Sequence, residues 1–562
     1  MTHLRTVGLL ILARTQRPNK GSVRKIALAK TVCAVLALCV TAAIGSSAQT
    51  LTTLASFTGF DGDEPHASLV QGTDGNFYGT TNYGGPNAMG GTIFNISPGG
   101  ALTTLYAFCG QYRCSDGDHS FGGVIQASDG NFYGTTQGGG INDNGTVFQL
   151  TPEGTFTILY SFGGKDGSAP TAPLIQATNG DLYGTTAGGG RYGAGTIFKM
   201  TLAGKLARLH SFNGTGTDGA NPIGMLVQAT DGNFYGTTSG GAGTVFEITP
   251  AGTLTTLHTF SGADGYSPVA GLVQAVNGNF YGTTSSGGAN GDGTVFEITP
   301  PGTLTVLHNF AGYGIDGANP GAGLVQATDR NFYGTTTNGG DADAGTAFKI
   351  TLGGHLSTLY SFDWGSGDLP YSGLLQATDG AFYGTTGQGG ADCCGTVYRL
   401  SMGLAPFVRT APGSGKVGAP VVILGTNLTG TTAVTFHGTP AAFTVVSSSE
   451  ITTEVPAGAG TGKVIVRTLS GTLASNVAFR VPPQIKRIRP SSGPVGTQVQ
   501  IIGISLRQTT EVTFGGVAST EFSVNSDKQV TATVPASAVT GPITITTMGG
   551  TARSTQRFTV TE

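Results

Sequence analysis

Charge is scarce in this chain: Asp, Glu, Lys and Arg make up 10% of 562 residues, with a balance of −3. So weakly charged a chain has no electrostatic pull on a polyanion, which argues against nucleic acid or an anionic membrane as partner. The repeated part also lacks any stretch with a sustained period of about 3.6 residues, so alternating strands and helices are excluded. The apolar stretch Thr31 to Ile44 runs for about 14 residues, short of the roughly 20 that cross a bilayer as a helix. Neither G-x-S-x-G, H-E-x-x-H nor a P-loop occurs, and the D-x-D-x-D-G spacing of an EF-hand is missing. What abounds is glycine, 95 residues, at fixed points of a repeat where turns are needed.

The tetrapeptide Tyr-Gly-Thr-Thr begins at Tyr78, Tyr133, Tyr183, Tyr235, Tyr281, Tyr333 and Tyr383. Gaps between about 46 and 55 residues mark stacked supersecondary units. The fullest copy, Gly271 to Phe310, has four short runs rich in Val, Thr, Phe and Tyr, separated by Gly, Pro, Asn and Asp. Such runs read as strands. Four of them, A to D from inner to outer, in roughly 50 residues make one blade of a β-propeller. A D-type strand, Leu51 to Phe57, precedes the first A strand, and the last copy stops after its C-type strand at Gly395 to Leu400. Strand numbers match only if the N-terminal strand completes the last blade, closing the ring without an exposed end. The expected fold is all-β: a seven-bladed propeller over 49–401 closed by an N-terminal strand, then two Ig-like β-sandwiches over 402–482 and 483–562.

Residues 1–48 read as an export signal. Arg24, Lys25 and Lys30 precede the apolar stretch, and Ser46-Ser47-Ala48 offers small residues for cleavage. The expected location is secreted, with the surface of the cell as an extension of it and no transmembrane segment in the mature chain. Removing the signal leaves four cysteines. Cys109 and Cys114 bracket one insertion and suit a disulfide in an oxidising compartment. Cys393 and Cys394 are adjacent; a vicinal disulfide and two free thiols both remain open. No C-x2-C spacing points to zinc.

The two C-terminal units align with each other through GAPVVILGTNL and GTQVQIIGISL, and through AVTFHGTPA and EVTFGGVAS. Ile485 to Gly503 (IKRIRPSSGPVGTQVQIIG) resembles the start of IPT/TIG immunoglobulin-like domains; the first copy is degraded there. In exported bacterial proteins such domains mostly act as spacers, and Pro482-Pro483 makes the junction stiff. The unit LVQATDGNFYGTT…GTVFEITPAGTLTTLHSF resembles the GloVer tandem repeat of exported bacterial proteins, called "choice-of-anchor" for their differing sorting tags. That resemblance implies a place, outside the cell, and no reaction.

Strand A carries a Gln in every copy: Gln71, Gln126, Gln176, Gln228, Gln274, Gln326 and Gln376. Their sevenfold presence favours a structural ring, with the Thr pair of YGTT as its expected partner, over a channel that grips a ligand. The Asp-Gly pair before strand A, at Asp61, Asp116, Asp166, Asp218, Asp264 and Asp316, is turn chemistry, with calcium as a minor reading. No other cofactor is expected. His66 and His119 with Asp63 and Asp118 are weak candidates for a metal or acid–base cluster. His210, His258 and His308 exchange with Tyr106, Tyr160 and Tyr360, which points to packing.

The A–B and C–D turns are nearly uniform, whereas the B–C loops and the longest D–A insertion differ, and these share one face. Loops on a rigid scaffold carry binding specificity. Tyr83, Tyr112, Arg113, Asn142, Asn144, Arg191, Tyr192, Asp341, Asp343 and Trp364 are the side chains there suited to a sugar or peptide. The leading expectation is a secreted or cell-surface binding or adhesion protein, with an extracellular glycan or protein as partner. A structural surface component and a polysaccharide-active hydrolase or lyase are the alternatives. No catalytic residue is singled out, since a nonrepeated cluster of acid, base and nucleophile is missing.

Overall fold

The computed structural model describes residues 49–87, 89–215 and 218–562. The expected export signal, residues 1–48, lies outside the described residues.

Seven four-stranded antiparallel sheets form the blades of a propeller. The first comprises Val70–Gln71, Phe77–Thr80, Thr92–Ile96 and Leu102–Ala107. The seventh comprises Leu375–Gln376, Phe382–Thr386 and Thr396–Ser401, with Thr50–Ser56 as its outer strand. This N-terminal strand runs from Thr50 opposite Ser401 to Ser56 opposite Thr396, with an irregularity between Thr53 and Ala55. The C–D pairs of the other blades break register at the corresponding place, for example between Ile93 and Phe94. The N-terminal strand therefore has the bulge of a D strand, not of a generic edge.

Apolar cores lie between neighbouring blades. Tyr78, Ile93 and Phe108 of the first blade pack with Val124, Phe132, Phe148 and Leu150 of the second. Phe57, Leu69, Phe77 and Phe94 pack likewise with Ala377, Ala381, Tyr383 and Val397 of the seventh. Within a blade, the Gly of YGTT admits an aromatic ring from strand C. A Cβ at Gly79 would lie 2.5 Å from Phe94 Cζ and 2.9 Å from Leu69 Cδ2.

The Gln ring is structural, but its partner is not the Thr pair. Each Gln Oε1 accepts the backbone N–H two residues beyond the Gln of the preceding blade. Thr73 donates to Gln126 at 3.0 Å, Ser128 to Gln176 at 2.8 Å, Thr178 to Gln228 at 2.9 Å and Thr230 to Gln274 at 3.0 Å. Val276 donates to Gln326, Thr328 to Gln376, and Thr378 to Gln71 across the junction of the last and first blades. The Thr pair acts separately. In six blades its first hydroxyl donates to a carbonyl of the next blade, as Thr385 does to Pro65 at 3.0 Å; Thr185 Oγ1 of the third blade has no such partner. Its second meets a strand C Thr of its own blade, as Thr136 does Thr146 at 2.8 Å.

Two β-sandwiches follow. The first packs the sheet containing Pro420–Leu424 against the sheet containing Thr431–Phe436, around Val421, Ile423, Phe436, Val464 and Phe479. The second has the same plan around Val499, Ile501, Val512, Phe514 and Ile545. The first sandwich is not held off from the propeller. Arg409 donates to Gln71 O at 3.0 Å, and Arg480 donates to Ala229 O at 2.9 Å. Ser449 Oγ donates to Thr73 O, and the Phe407 N–H donates to Thr378 O at 3.0 Å. These contacts touch blades one, four and seven at the ends of their A strands, so the sandwich lies across the channel mouth on the uniform-turn side. The spacer expectation is corrected for this domain. Between the two sandwiches, Gln508 accepts the Thr461 N–H and donates to the Thr461 carbonyl.

Two outcomes test this arrangement. Deleting Thr50–Ser56 bares the edge of the seventh blade, and thermal unfolding of that protein should fall well below that of a chain truncated after Ser401; equal melting would refute the dependence on the N-terminal strand. Gln71 is buried, so Gln71→Leu leaves the Thr378 N–H without an acceptor and should cost about 1–3 kcal/mol in denaturant unfolding. A change below about 0.5 kcal/mol would deny the ring a stabilising role.

Candidate functional site

Seven non-glycine residues, one in each D–A connection, sit in the left-handed region: Glu64, His119, Ala169, Asn221, Ser267, Asn319 and Leu369, with φ between 51° and 56°. Such a backbone persists in L residues only where the surroundings hold it. Here the carbonyl of each accepts the N–H that follows YGTT in its own blade, as Glu64 O does from Asn82 at 3.0 Å. The N–H of Glu64 donates to Cys394 O of the preceding blade's B–C loop, and that of His119 to Gly90 O. Three segments thus converge on a residue whose geometry repeats and whose side chain does not.

The residues two positions after these lie in the D–A connections, ahead of strand A. Three rings there form an arc across blades seven, one and two. His66 stacks on Tyr371 at 4.3 Å and 9°, and meets Phe121 edge-on at 5.2 Å. All three are half-buried. His66 Nε2 is 3.2 Å from Glu64 Oε2. Burial holds the His66 imidazole below its ordinary 6.5, outweighing the opposing pull of Glu64. Burial also raises the Tyr371 phenol, with Glu64 and Asp368 adding to it. Among the described residues, Asn82 Oδ1 and Thr171 Oγ1 are buried on this side without a hydrogen-bond partner. Asp118 Oδ1 lies 3.1 Å from His119 Nδ1 but lacks hydrogen-bond geometry.

The four weak metal candidates do not form one centre. His66 stays with Glu64 and the rings; His119 stays with Asp118 and has Tyr83 edge-on at 4.8 Å. Asp63 pairs its backbone with that of Tyr83, and burial raises its carboxyl. The one cluster of three residues of metal-binding type among the described residues is Cys109, Cys114 and Asp118, and its cysteines are joined as a disulfide.

Of the expected binding side chains, Tyr112, Tyr192 and Trp364 are exposed at 81%, 56% and 56%, with Tyr83 at 39%. Arg113 lies 5.3 Å from the Tyr112 ring, and Arg191 5.4 Å from the Tyr192 ring. Asp341 is exposed. Others brace their own loops: Asn142 donates to Phe162 O, Asn144 to Asn142 O, and Asp343 accepts the Gly339 N–H at 2.8 Å. The Asp-Gly carboxylates are likewise engaged. Asp116 accepts the Tyr106 hydroxyl at 2.9 Å and Asp264 contacts His258 Nε2 at 2.8 Å. That shared partner explains the His–Tyr exchange in strand D, which is hydrogen bonding and not packing alone. Phe121, Tyr371, Glu64 and Asn82 were missed; their signal was variation at fixed distances from the Asp-Gly pair.

The Gloeobacter/Verrucomicrobia repeat model matches residues 109–275 and 239–439, and the IPT/TIG domain model matches 408–481 and 483–561. No curated protein matches the chain. Among solved structures, SGBP-B from a complex xyloglucan utilization locus in Bacteroides uniformis is 23% identical, over 27% of this chain and 48% of that one, with a TM-score of 0.15. The surface glycan-binding protein PbSGBP-B from Prevotella bryantii is 16% identical, over 26% and 38%, with a TM-score of 0.22. This chain spans less than half the length of either. A fungal alcohol oxidase of the AA5 family is 15% identical, over 77% and 98%, with a TM-score of 0.41.

The His66 environment yields a pH prediction. The folded chain keeps His66 neutral to lower pH than the unfolded chain does, so the stability tied to the neutral ring is present above 6.5 and lost as pH falls through the folded value. His66→Gln should flatten the acid-side decline in melting temperature between about pH 7 and about pH 5. An unchanged slope would place the ring in contact with water.

Proposed function

We propose that this chain, which belongs to the Gloeobacter/Verrucomicrobia repeat family, is an extracellular binding protein that recognises a glycan on the free mouth of its propeller. The observation that carries the reading is an asymmetry. The Gln side chains and most of the Thr and Asp side chains common to the blades are engaged in the scaffold, and the first sandwich covers the opposite mouth. The nonrepeated rings and the unpartnered acceptors Asn82 Oδ1 and Thr171 Oγ1 gather on the remaining face. Aromatic faces beside fixed neutral hydrogen-bonding groups suit a sugar, whose ring offers both apolar C–H faces and hydroxyls. No charge on the ligand is needed, in keeping with the net balance of −3.

The export leader and the Cys109–Cys114 disulfide support an extracellular setting. The test is a glycan array probed with the 49–562 protein, followed by titration of the best binder. Tyr371→Ala, Phe121→Ala, Tyr83→Ala and Trp364→Ala should each weaken binding, the first two by roughly tenfold, about 1.4 kcal/mol. Tyr192→Ala and Arg191→Ala test the outer rim. Changes at Asn277 in the uniform turns should alter stability only. An array without a binder, or binding lost only through the uniform turns, would overturn the proposal.

A further inference from the structure

Cys393 and Cys394 lie in the B–C loop of the seventh blade, with Sγ atoms 2.8 Å apart. The two sulfurs are in direct contact. Cys393 is exposed and has φ 75°, a left-handed position that Gly or Asp occupies in sister loops, at Gly291 and Asp343. A cysteine there is strained without a local structural reason. Cys394 is half-buried; its thiol lies near Gly59 and Asp63, and its carbonyl accepts the Glu64 N–H at 3.3 Å. The loop therefore holds one of the left-handed residues that shape the mouth.

We propose that Cys393 and Cys394 form a redox site, a vicinal dithiol that an external disulfide oxidises to a bond between the two neighbours. In the first step the exposed Cys393 sulfur, having lost its proton, attacks one sulfur of the external disulfide. A mixed disulfide forms and one thiolate leaves. Cys394, whose thiol is pushed up by burial and then by Cys393 and Asp63, gives up its proton less readily; once ionised it attacks the Cys393 sulfur and expels the second thiolate. Two protein thiols are oxidised by two electrons, and the external disulfide is reduced to two thiols that take up the two protons. Exposure of Cys393 gives the external disulfide access to its sulfur.

The site acts on the mouth through its loop. Trp364, the chain's single Trp, accepts the Gly390 N–H of this loop through its backbone carbonyl at 2.8 Å, so its fluorescence reports on the loop. The experiment equilibrates the 49–562 protein with glutathione at graded ratios of oxidised to reduced form, then traps free thiols with iodoacetamide. The tryptic peptide 350–399 contains only these two cysteines. It should pass from doubly alkylated to unalkylated and lighter by two hydrogens, with Trp364 emission changing in step. Cys393→Ser should leave Cys394 alkylated or carrying glutathione, and should remove the step in emission. A doubly alkylated peptide at every ratio, or disulfide-linked dimers in place of the intrachain bond, would overturn the redox site. Oxidation without a change in Trp364 emission would overturn its link to the loop.

Discussion

One amide oxygen per blade holds this ring in register. Strand A has only two ladder residues in most blades, too short a pairing to fix an inner strand on its own. The Gln that ends each A strand supplies the missing constraint by accepting a backbone N–H of the blade before it. Leu has no acceptor, and Asn lacks the methylene needed to reach across the gap. A single bond of this kind contributes on the order of 1 kcal/mol. The arrangement gains from being cyclic: Thr378 N–H to Gln71 joins last to first, so each inner strand is positioned by both neighbours. The same boundaries carry the stack of a YGTT Tyr on the next blade's Phe, at 4.1 Å for Tyr235 on Phe280 and 4.0 Å for Tyr383 on Phe77.

Saturation of the repeated positions decides where function can sit. A side chain present seven times in one geometry is a poor source of specificity, and most of those here already have partners. Tyr of YGTT shows how fully. In the first blade its hydroxyl donates to Asp74 at 2.9 Å, and burial before any charge effect makes its proton hard to remove. Variation is left to positions that the scaffold holds by backbone alone. The left-handed residues are the clearest case, because two main-chain bonds hold Glu64 and its carboxylate is left to pair with His66. A rigid frame that accepts any side chain at seven points around one mouth is suited to acquiring a binding site.

The architecture was legible because a repeat states its own geometry. Seven YGTT units, a D strand ahead of the first A strand and a missing one after the last lead to the blade count and to the role of the N-terminal strand. The Cys109–Cys114 pair was legible from its short loop. Hydrogen-bond partners were not, because they join residues about 50 positions apart in the chain. The Gln was read as structural, yet its acceptor role toward Thr73, Ser128 and their equivalents depends on how far one blade is rotated from the next. Loop variation pointed to one side of the ring, but loop residues there such as Asn142 and Asp343 brace their own turns. The aromatic arc of Tyr371, His66 and Phe121 was missed because its members come from three blades and meet only when the ring closes.

The first sandwich shows how a domain that looks eroded in sequence can be a fitted one. Its opening strand pairs Ala411 with Val422, where the second sandwich pairs Arg489 with Gln500. The latter two are exposed, as a free edge requires, and polar atoms there prevent strand addition. Ala411 and Val422 instead line a cavity of about 60 Å³ shared with Val70 and Gln126 of the propeller. Large polar groups at that pair would be buried against the inner strands without partners. The departure from the IPT/TIG pattern in this copy is therefore what docking demands. The guanidiniums that remain, Arg409 and Arg480, donate to backbone carbonyls and form no salt bridge among the described residues. Carbonyls at the ends of A strands are present in every blade whatever its side chains, so the sandwich grips the part of the propeller that cannot vary and leaves the variable mouth open.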